Sequence, residues 1–181
     1  MLTPALFLDR DGVIMENRAN YVRTWDDVAI FPQAVAALAR IRNMPFKIIL
    51  VTNQSAVGRG LITLEEAQTI NDRVINEVER GNGRIDAAYI CPHAPSDNCN
   101  CRKPLPGLLL QAAADHAIDL SRSIMIGDAL TDVAAGQNAG VGQTILLLTG
   151  RGRDQAKLPQ AQQLAPFTIY QSLSAALSAI L

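Results

Sequence analysis

The chain has 181 residues, 49% of them hydrophobic, a formal net charge of −1 and a pI of about 6.1. That length predicts one domain spanning residues 1–181; the apolar share argues against a disordered chain, and the charge balance gives no electrostatic footprint for nucleic acid or an anionic membrane. No stretch reaches the roughly 18 apolar residues of a membrane span, and Met1-Leu2-Thr3-Pro4 has no basic segment leading into an apolar one, so the expected location is the cytoplasm.

Apolar runs alternate with helix-like segments along the chain. Residues 5–8 read as a buried strand, and 33–41, entered through Phe31-Pro32, as an Ala/Leu-rich helix. The β-branched run 47–51 predicts a second strand. Thr63-Leu64-Glu65-Glu66 has the pattern of a capping box, which predicts a helix from Leu64 to about Glu79, ended by Gly81-Asn82-Gly83. A third strand is predicted over 86–90, a helix over 106–117, a fourth strand over 123–126 and a helix over 131–139. Strands over 144–148 and 167–170 follow, then a last helix from Ser172, with 150–159 as a polar surface loop. His116, alone in its helix, reads as a surface or half-buried residue. Strands alternating with helices imply right-handed βαβ units: an α/β fold with a central parallel sheet covered by helices on both faces.

Four polar clusters each follow a predicted strand: Asp9-Arg10-Asp11, Thr52-Asn53-Gln54-Ser55, Arg102-Lys103 and Gly127-Asp128. In open α/β sheets, ligands bind beyond the carboxyl ends of the strands. The residue types suit phosphoryl transfer, which needs an in-line nucleophile, neutralised phosphate oxygens and a proton for the leaving group. Asp9 can act as carboxylate nucleophile, and Asp11, two residues on, as acid and then base. An anionic nucleophile facing a phosphate calls for a hard cation. Mg²⁺ held by Asp9, Asp128 and the carbonyl of Asp11 meets that need. Thr52 offers a hydroxyl and Asn53 backbone N–H groups to the phosphate, and Lys103 offers positive charge. Each cluster has a plainer reading by itself. Asp-x-Asp-Gly can be a turn, Asp128 a helix cap and Lys103 a solvated charge. All four in this order, each after an apolar strand, are hard to produce by chance.

Through 7–13, 51–55, 101–104 and 126–132 the sequence resembles the haloacid dehalogenase (HAD) phosphatase superfamily, over roughly residues 6–141. Asp9-Arg10-Asp11-Gly12 and Thr52-Asn53-Gln54-Ser55 resemble the branch that holds the heptose 1,7-bisphosphate phosphatases and the histidinol-phosphate phosphatase domain. The resemblance implies a Rossmann-like HAD fold and an aspartyl-phosphate on Asp9, with Asp11 as acid/base and Mg ligand and Asp128 completing the Mg shell. It also implies phosphate or substrate contacts from Thr52, Asn53, Gln54, Ser55, Arg102 and Lys103, with Asn17 and Tyr21 near the substrate. Position 129 departs from the pattern: it is Ala where that branch often has Lys or Arg, which bears on substrate identity rather than on phosphatase chemistry.

All three cysteines fall within 91–101. Cys91, His93, Cys99 and Cys101 make a Cys₃His set, the ligand type of closed structural Zn²⁺ sites, in a loop that ends against Arg102-Lys103. The competing reading is a redox pair or free buried thiols. The resemblance also implies zinc here.

The spans 12–51 and 56–101 leave no room for a large cap domain, so small loops are expected to rim an open site. The leading expectation is a monomeric enzyme that removes the C7 phosphate of heptose 1,7-bisphosphate, with histidinol phosphate as the alternative substrate. Two other classes stay open: a nucleic-acid end phosphatase, disfavoured by acidity and 4% aromatics, and a non-catalytic phosphate-binding protein.

Overall fold

The computed structural model describes residues 2–180. Strands β1 (Ala5–Leu8), β2 (Lys47–Asn53), β3 (Ala87–Cys91), β4 (Ile124–Gly127), β5 (Gln143–Leu147) and β6 (Thr168–Tyr170) form one sheet in the order β3-β2-β1-β4-β5-β6. Every adjacent pair is parallel. From β1 the chain builds outward to β3, then returns to the other side of β1 as β4 and builds outward to β6. The switch between β1 and β4 opens a crevice at their carboxyl ends.

The helices are α1 (Pro32–Arg40), α2 (Ser55–Gly58), α3 (Leu64–Arg80), α4 (Gly107–His116), α5 (Leu130–Ala139), α6 (Gly152–Gln155) and α7 (Leu173–Ile180). Strand side chains alternate between two apolar layers, as the two-residue period requires. Leu6, Leu8, Ile48, Leu50 and Ile126 pack with α1, α3 and α7 through Leu38, Val74 and Leu177. Phe7, Ile49, Val51 and Met125 pack on the opposite face with Leu109 and Ala112 of α4 and Ala135 of α5. With both faces covered, the strands read as continuous apolar runs rather than alternating ones.

The capping box forms as predicted: Glu66 N donates to Thr63 Oγ1 (3.1 Å) and Thr63 N to Glu66 Oε2 (2.7 Å). At the far end of α3 the left-handed residue is Asn82, at φ 66°, between the two glycines. His116 is half-buried, edge-on to Tyr89.

Two expectations need correction, and one short helix is unanticipated. Strand β2 runs two residues past the predicted Val51, so Thr52 and Asn53 lie in the strand rather than after it. The four-residue α2 follows at once and is too short to show a helical period. The stretch 150–159 is not simply a loop: α6 lies inside it, with Gln155 Oε1 accepting from Leu130 N (3.0 Å). The other elements differ from expectation by about a residue at their ends, the ordinary uncertainty of helix and strand termini.

Candidate active site

Asp9 follows β1 and Asp128 follows β4, side by side at the switch point, and Asp9 N donates to Ile126 O (3.0 Å). With Asp132, in the first turn of α5, they form a buried trio whose carboxylate oxygens lie within 4.8 Å of one another. Asp132 folds back over Gly127, where any Cβ would collide with its carboxylate. Its Oδ2 accepts from Ala129 N (3.0 Å), which caps α5.

Lys103 reaches this trio from the end of the cysteine-containing loop. Its ammonium lies 2.9 Å from Asp9 Oδ1, 2.7 Å from Asp132 Oδ1 and 2.8 Å from the Val51 carbonyl, so all three donors are used. Burial pulls the Lys103 ammonium down, but Asp132 and then Asp9 outweigh it and hold it above its ordinary range. Burial pushes Asp132 up to about 7 against the pull of Lys103, and burial followed by Asp9 raises Asp128. Lys103 thus bridges Asp9 and Asp132, while Asp128 pairs with Arg151 instead.

Gly12 and Gly150, both with left-handed backbones (φ 81° and 53°), approach the same two oxygens. A Cβ on either would collide with Asp128 Oδ2 and Asn17 Oδ1. Asn17 Oδ1 is buried without a hydrogen-bond partner. Carboxylate and amide oxygens packed against two glycines, the amide oxygen without a partner, suit a hard divalent cation.

Asp11 is placed differently. Its carboxylate is not in the trio; Arg10 Nη2 donates to both of its oxygens (3.0 Å each), and Gln54 Nε2 to one (3.1 Å). Gln54 Nε2 also donates to Thr52 Oγ1 (2.8 Å). The side chains of the Thr52–Ser55 run therefore largely serve one another and their neighbours. Asn53 brackets the backbone of Lys103, donating to its carbonyl (3.0 Å) and accepting from its N–H (3.1 Å). Ser55 Oγ accepts from Arg102 Nη1 (2.8 Å).

Above these groups opens a cleft of about 470 Å³, lined by Asp11, Asn17, Tyr21, Asn53, Gln54, Ser55, Arg102 and Lys103. Three further cations line it that sequence reading did not single out: Arg18, Arg59 and Arg151. Arg151 N donates to Asp128 Oδ2 (2.8 Å), and its guanidinium lies 3.4 Å from Asp128 Oδ1. It therefore brings to Asp128 a cation of the kind that Ala129 lacks. Arg59 stacks over the Tyr21 ring at 5.8 Å, and Tyr21 holds a left-handed backbone (φ 65°) that is rare for a bulky residue. Asp132 was also missed as a member of the cluster, although it lies in the 126–132 motif.

Beside the cleft, Cys91, His93, Cys99 and Cys101 converge. Their Sγ and Nδ1 atoms are 3.2–3.7 Å apart along the contacting pairs. Ligands about 2.0–2.3 Å from a tetrahedral ion sit at nearly that spacing, so the set fits zinc. Burial pushes the Cys91 thiol up to about 12 and Cys101 above its ordinary value. At Cys99 burial is outweighed by N–H donors, the Arg102 backbone first, and the thiol is lowered. Arg102 also donates to the His93 carbonyl (3.1 Å), which ties this loop to the cleft.

Comparison with known proteins agrees with this geometry. The family described as HAD-hyrolase-like matches residues 100–176. The chain is 42% identical over 144 residues to the D-glycero-beta-D-manno-heptose-1,7-bisphosphate 7-phosphatase of Helicobacter pylori strain J99, covering 79% of this chain and 82% of the relative. It is 34% identical over 178 residues to the protein of that name in Pseudomonas aeruginosa, covering 97% of each. The crystal structure of D,D-heptose 1,7-bisphosphate phosphatase from B. bronchiseptica, complexed with magnesium and phosphate, superposes with a TM-score of 0.89 at 32% identity, over 98% of this chain and 97% of that one. With its acidic cluster at the switch point of a six-stranded parallel sheet, the chain is a phosphatase and belongs to the D-glycero-D-manno-heptose-1,7-bisphosphate 7-phosphatase family of HAD-like hydrolases.

Proposed function

We propose that this phosphatase removes the C7 phosphate of D-glycero-D-manno-heptose 1,7-bisphosphate through an aspartyl-phosphate on Asp9. The observation that carries the reading is the buried Asp9 carboxylate, held 2.9 Å from Lys103 Nζ, with Lys103 lining a cleft rich in arginine. An Asp9 oxygen attacks phosphorus while Lys103 offsets charge on the nucleophile and the phosphoryl oxygens. Asp11 gives its proton to the departing sugar oxygen, then takes one from the water that cleaves the aspartyl-phosphate. Thr52 and the backbone N–H groups of Asn53 bind the transferring phosphate. Gln54 and Ser55 shape that pocket, and Arg102, Asn17 and Tyr21 meet the substrate. Arg18, Arg59 and Arg151 suit a ligand that carries a second phosphate.

Asp9, Asp128 and the Asp11 carbonyl are the proposed Mg²⁺ ligands, and the partnerless Asn17 Oδ1 supports a cation there. Asp132, engaged by Lys103 and Ala129 N, is kept as the partner of Lys103. The metal supplies charge neutralisation on the phosphate oxygens. Cys91, His93, Cys99 and Cys101 are proposed to hold one structural Zn²⁺ that orders the loop presenting Arg102 and Lys103. Metal analysis should find about one tightly held zinc per chain, and a zinc-free protein that is equally active and stable overturns that part. No helix among the described residues is long and apolar enough to cross a membrane; a monomer acting in the cytoplasm completes the proposal.

The test is phosphate release with Mg²⁺ from both anomers of the heptose bisphosphate and from histidinol phosphate, with Asp9→Asn as control. A specificity constant about a hundredfold higher for a heptose anomer, worth roughly 2.7 kcal/mol of transition-state discrimination, supports the reading. Preference for histidinol phosphate, or turnover by Asp9→Asn, removes the substrate or the nucleophile respectively.

A further inference from the structure

The buried residues of α3 are Ala67, Ile70, Asn71, Val74 and Val78. Asn71 is the polar one, 2% exposed, in a stripe that an apolar side chain would complete. Its Oδ1 accepts from Arg10 Nη1 at 2.7 Å. Arg10 is itself 1% exposed, and the other arm of its guanidinium donates to both oxygens of Asp11 and to Gln54 Oε1 (3.1 Å). A buried guanidinium is expensive, and replacing such a network by apolar groups often leaves a protein as stable or more so. Its presence calls for another reason, and the geometry supplies one: every member fixes where the Asp11 carboxylate points. Asp9 joins the buried trio, while Asp11, two residues on, is turned out of it toward the cleft.

We propose that Arg10 and Asn71 are positioning residues. Asn71 on α3 sets the plane of the Arg10 guanidinium, and Arg10 holds the Asp11 carboxylate in the single orientation from which it exchanges protons with the leaving oxygen and the attacking water. The inference rests on the acid/base reading of Asp11. In the first step Asp9 Oδ bonds to phosphorus, the phosphorus–oxygen ester bond breaks, and the leaving oxygen takes the Asp11 proton. In the second, Asp11 takes a proton from water as the water oxygen bonds to phosphorus and the Asp9–phosphorus bond breaks. The second step needs Asp11 whatever the leaving group; the first needs it little when the leaving group is a stable phenolate.

The experiment uses p-nitrophenyl phosphate and Mg²⁺ with the full chain carrying Arg10→Lys, which keeps the charge but loses the fork, or Asn71→Leu, which completes the apolar stripe. Asp11→Asn is run beside them. Steady-state kcat should fall about ten- to hundredfold in both positioning variants, the scale of a misplaced catalytic group, and KM should fall with it as the phosphoenzyme accumulates. Rapid mixing should still give a burst of nitrophenolate near one per chain, because phosphoryl transfer to Asp9 persists while its hydrolysis stalls. Unchanged kcat, a raised KM, or a burst that shrinks in proportion to the steady-state rate overturns the inference, the last marking a misfolded fraction instead. Should Asp11→Asn itself turn over at the wild-type rate, the acid/base reading fails. Should Asp11→Asn stall after a burst while the two variants do not, the positioning role alone fails.

Discussion

Lys103 is where single-residue chemistry and stability meet. Its ammonium is almost wholly buried and joins two carboxylates that otherwise repel each other. Removing one partner from a buried ionic set is far more costly than never having built it. Lys103→Met should therefore lower the stability of the metal-free chain by about 3 kcal/mol in urea denaturation, and abolish turnover. An unchanged midpoint would mean that the trio carries its charge without help from Lys103. Much of this centre is legible from residue order alone, because Asp9, Lys103 and Asp128 each follow an apolar strand in a chain of alternating strands and helices. Asp132 is less legible, because its carboxylate enters the cluster only by folding back across Gly127, a close approach that no spacing rule reveals. Arg151 is hidden for a similar reason: it sits in a polar stretch, and the left-handed turn at Gly150 brings it to Asp128.

At the scale of elements, the rim segment between β1 and α1 is held by a local device. Asp27 Oδ2 accepts from the backbone N–H groups of Arg23 and Thr24 (2.9 Å each), Asp27 O accepts from Arg18 Nε (2.6 Å), and Arg73 of α3 stacks on Trp25. The donors on Arg23 and then Thr24 hold the Asp27 carboxyl below its unfolded value of 3.8. A depressed carboxyl stabilises the fold above its unfolded pKa, and that contribution is lost as the pH falls through the folded value. Asp27→Asn should therefore lower the Tm at pH 7, with the gap closing as the pH falls below 3.8 and through the lower folded value. A gap that stays constant across that range would show that the charge on Asp27 is immaterial. This segment also carries Asn17, Arg18 and Tyr21 to the cleft. The sequence places Asn17 and Tyr21 near the substrate only by resemblance, since their placement depends on turns without a period to read. Asn71 left a fainter trace, a polar residue in an apolar helical stripe.

For the molecule as a whole, a net charge of −1 conceals a strong local field. Arg18, Arg59, Arg102, Lys103 and Arg151 line the cleft against Asp11. Such a cleft concentrates anions and is screened by salt. Raising ionic strength from about 0.05 to about 0.5 M should raise KM for a bisphosphate several-fold and leave kcat nearly constant, as read from initial rates. A flat KM would assign substrate capture to hydrogen bonding alone. The sheet order bears on the same cleft. Its floor comes from β1 and β4, but the loop bearing His93 and Cys101 hangs from β3, which is the sheet's edge. That strand has little to fix its alignment: Ala87, Tyr89 and Ile90 are only partly covered and Ala88 is exposed, while Cys91, opposite Asn53, is fully enclosed. A slip of one position would turn Cys91 to the other side of the sheet and scatter the four donor atoms. Under the proposed zinc reading, the four donors meet round one ion only on the correctly threaded strand, so metal binding would proofread the edge.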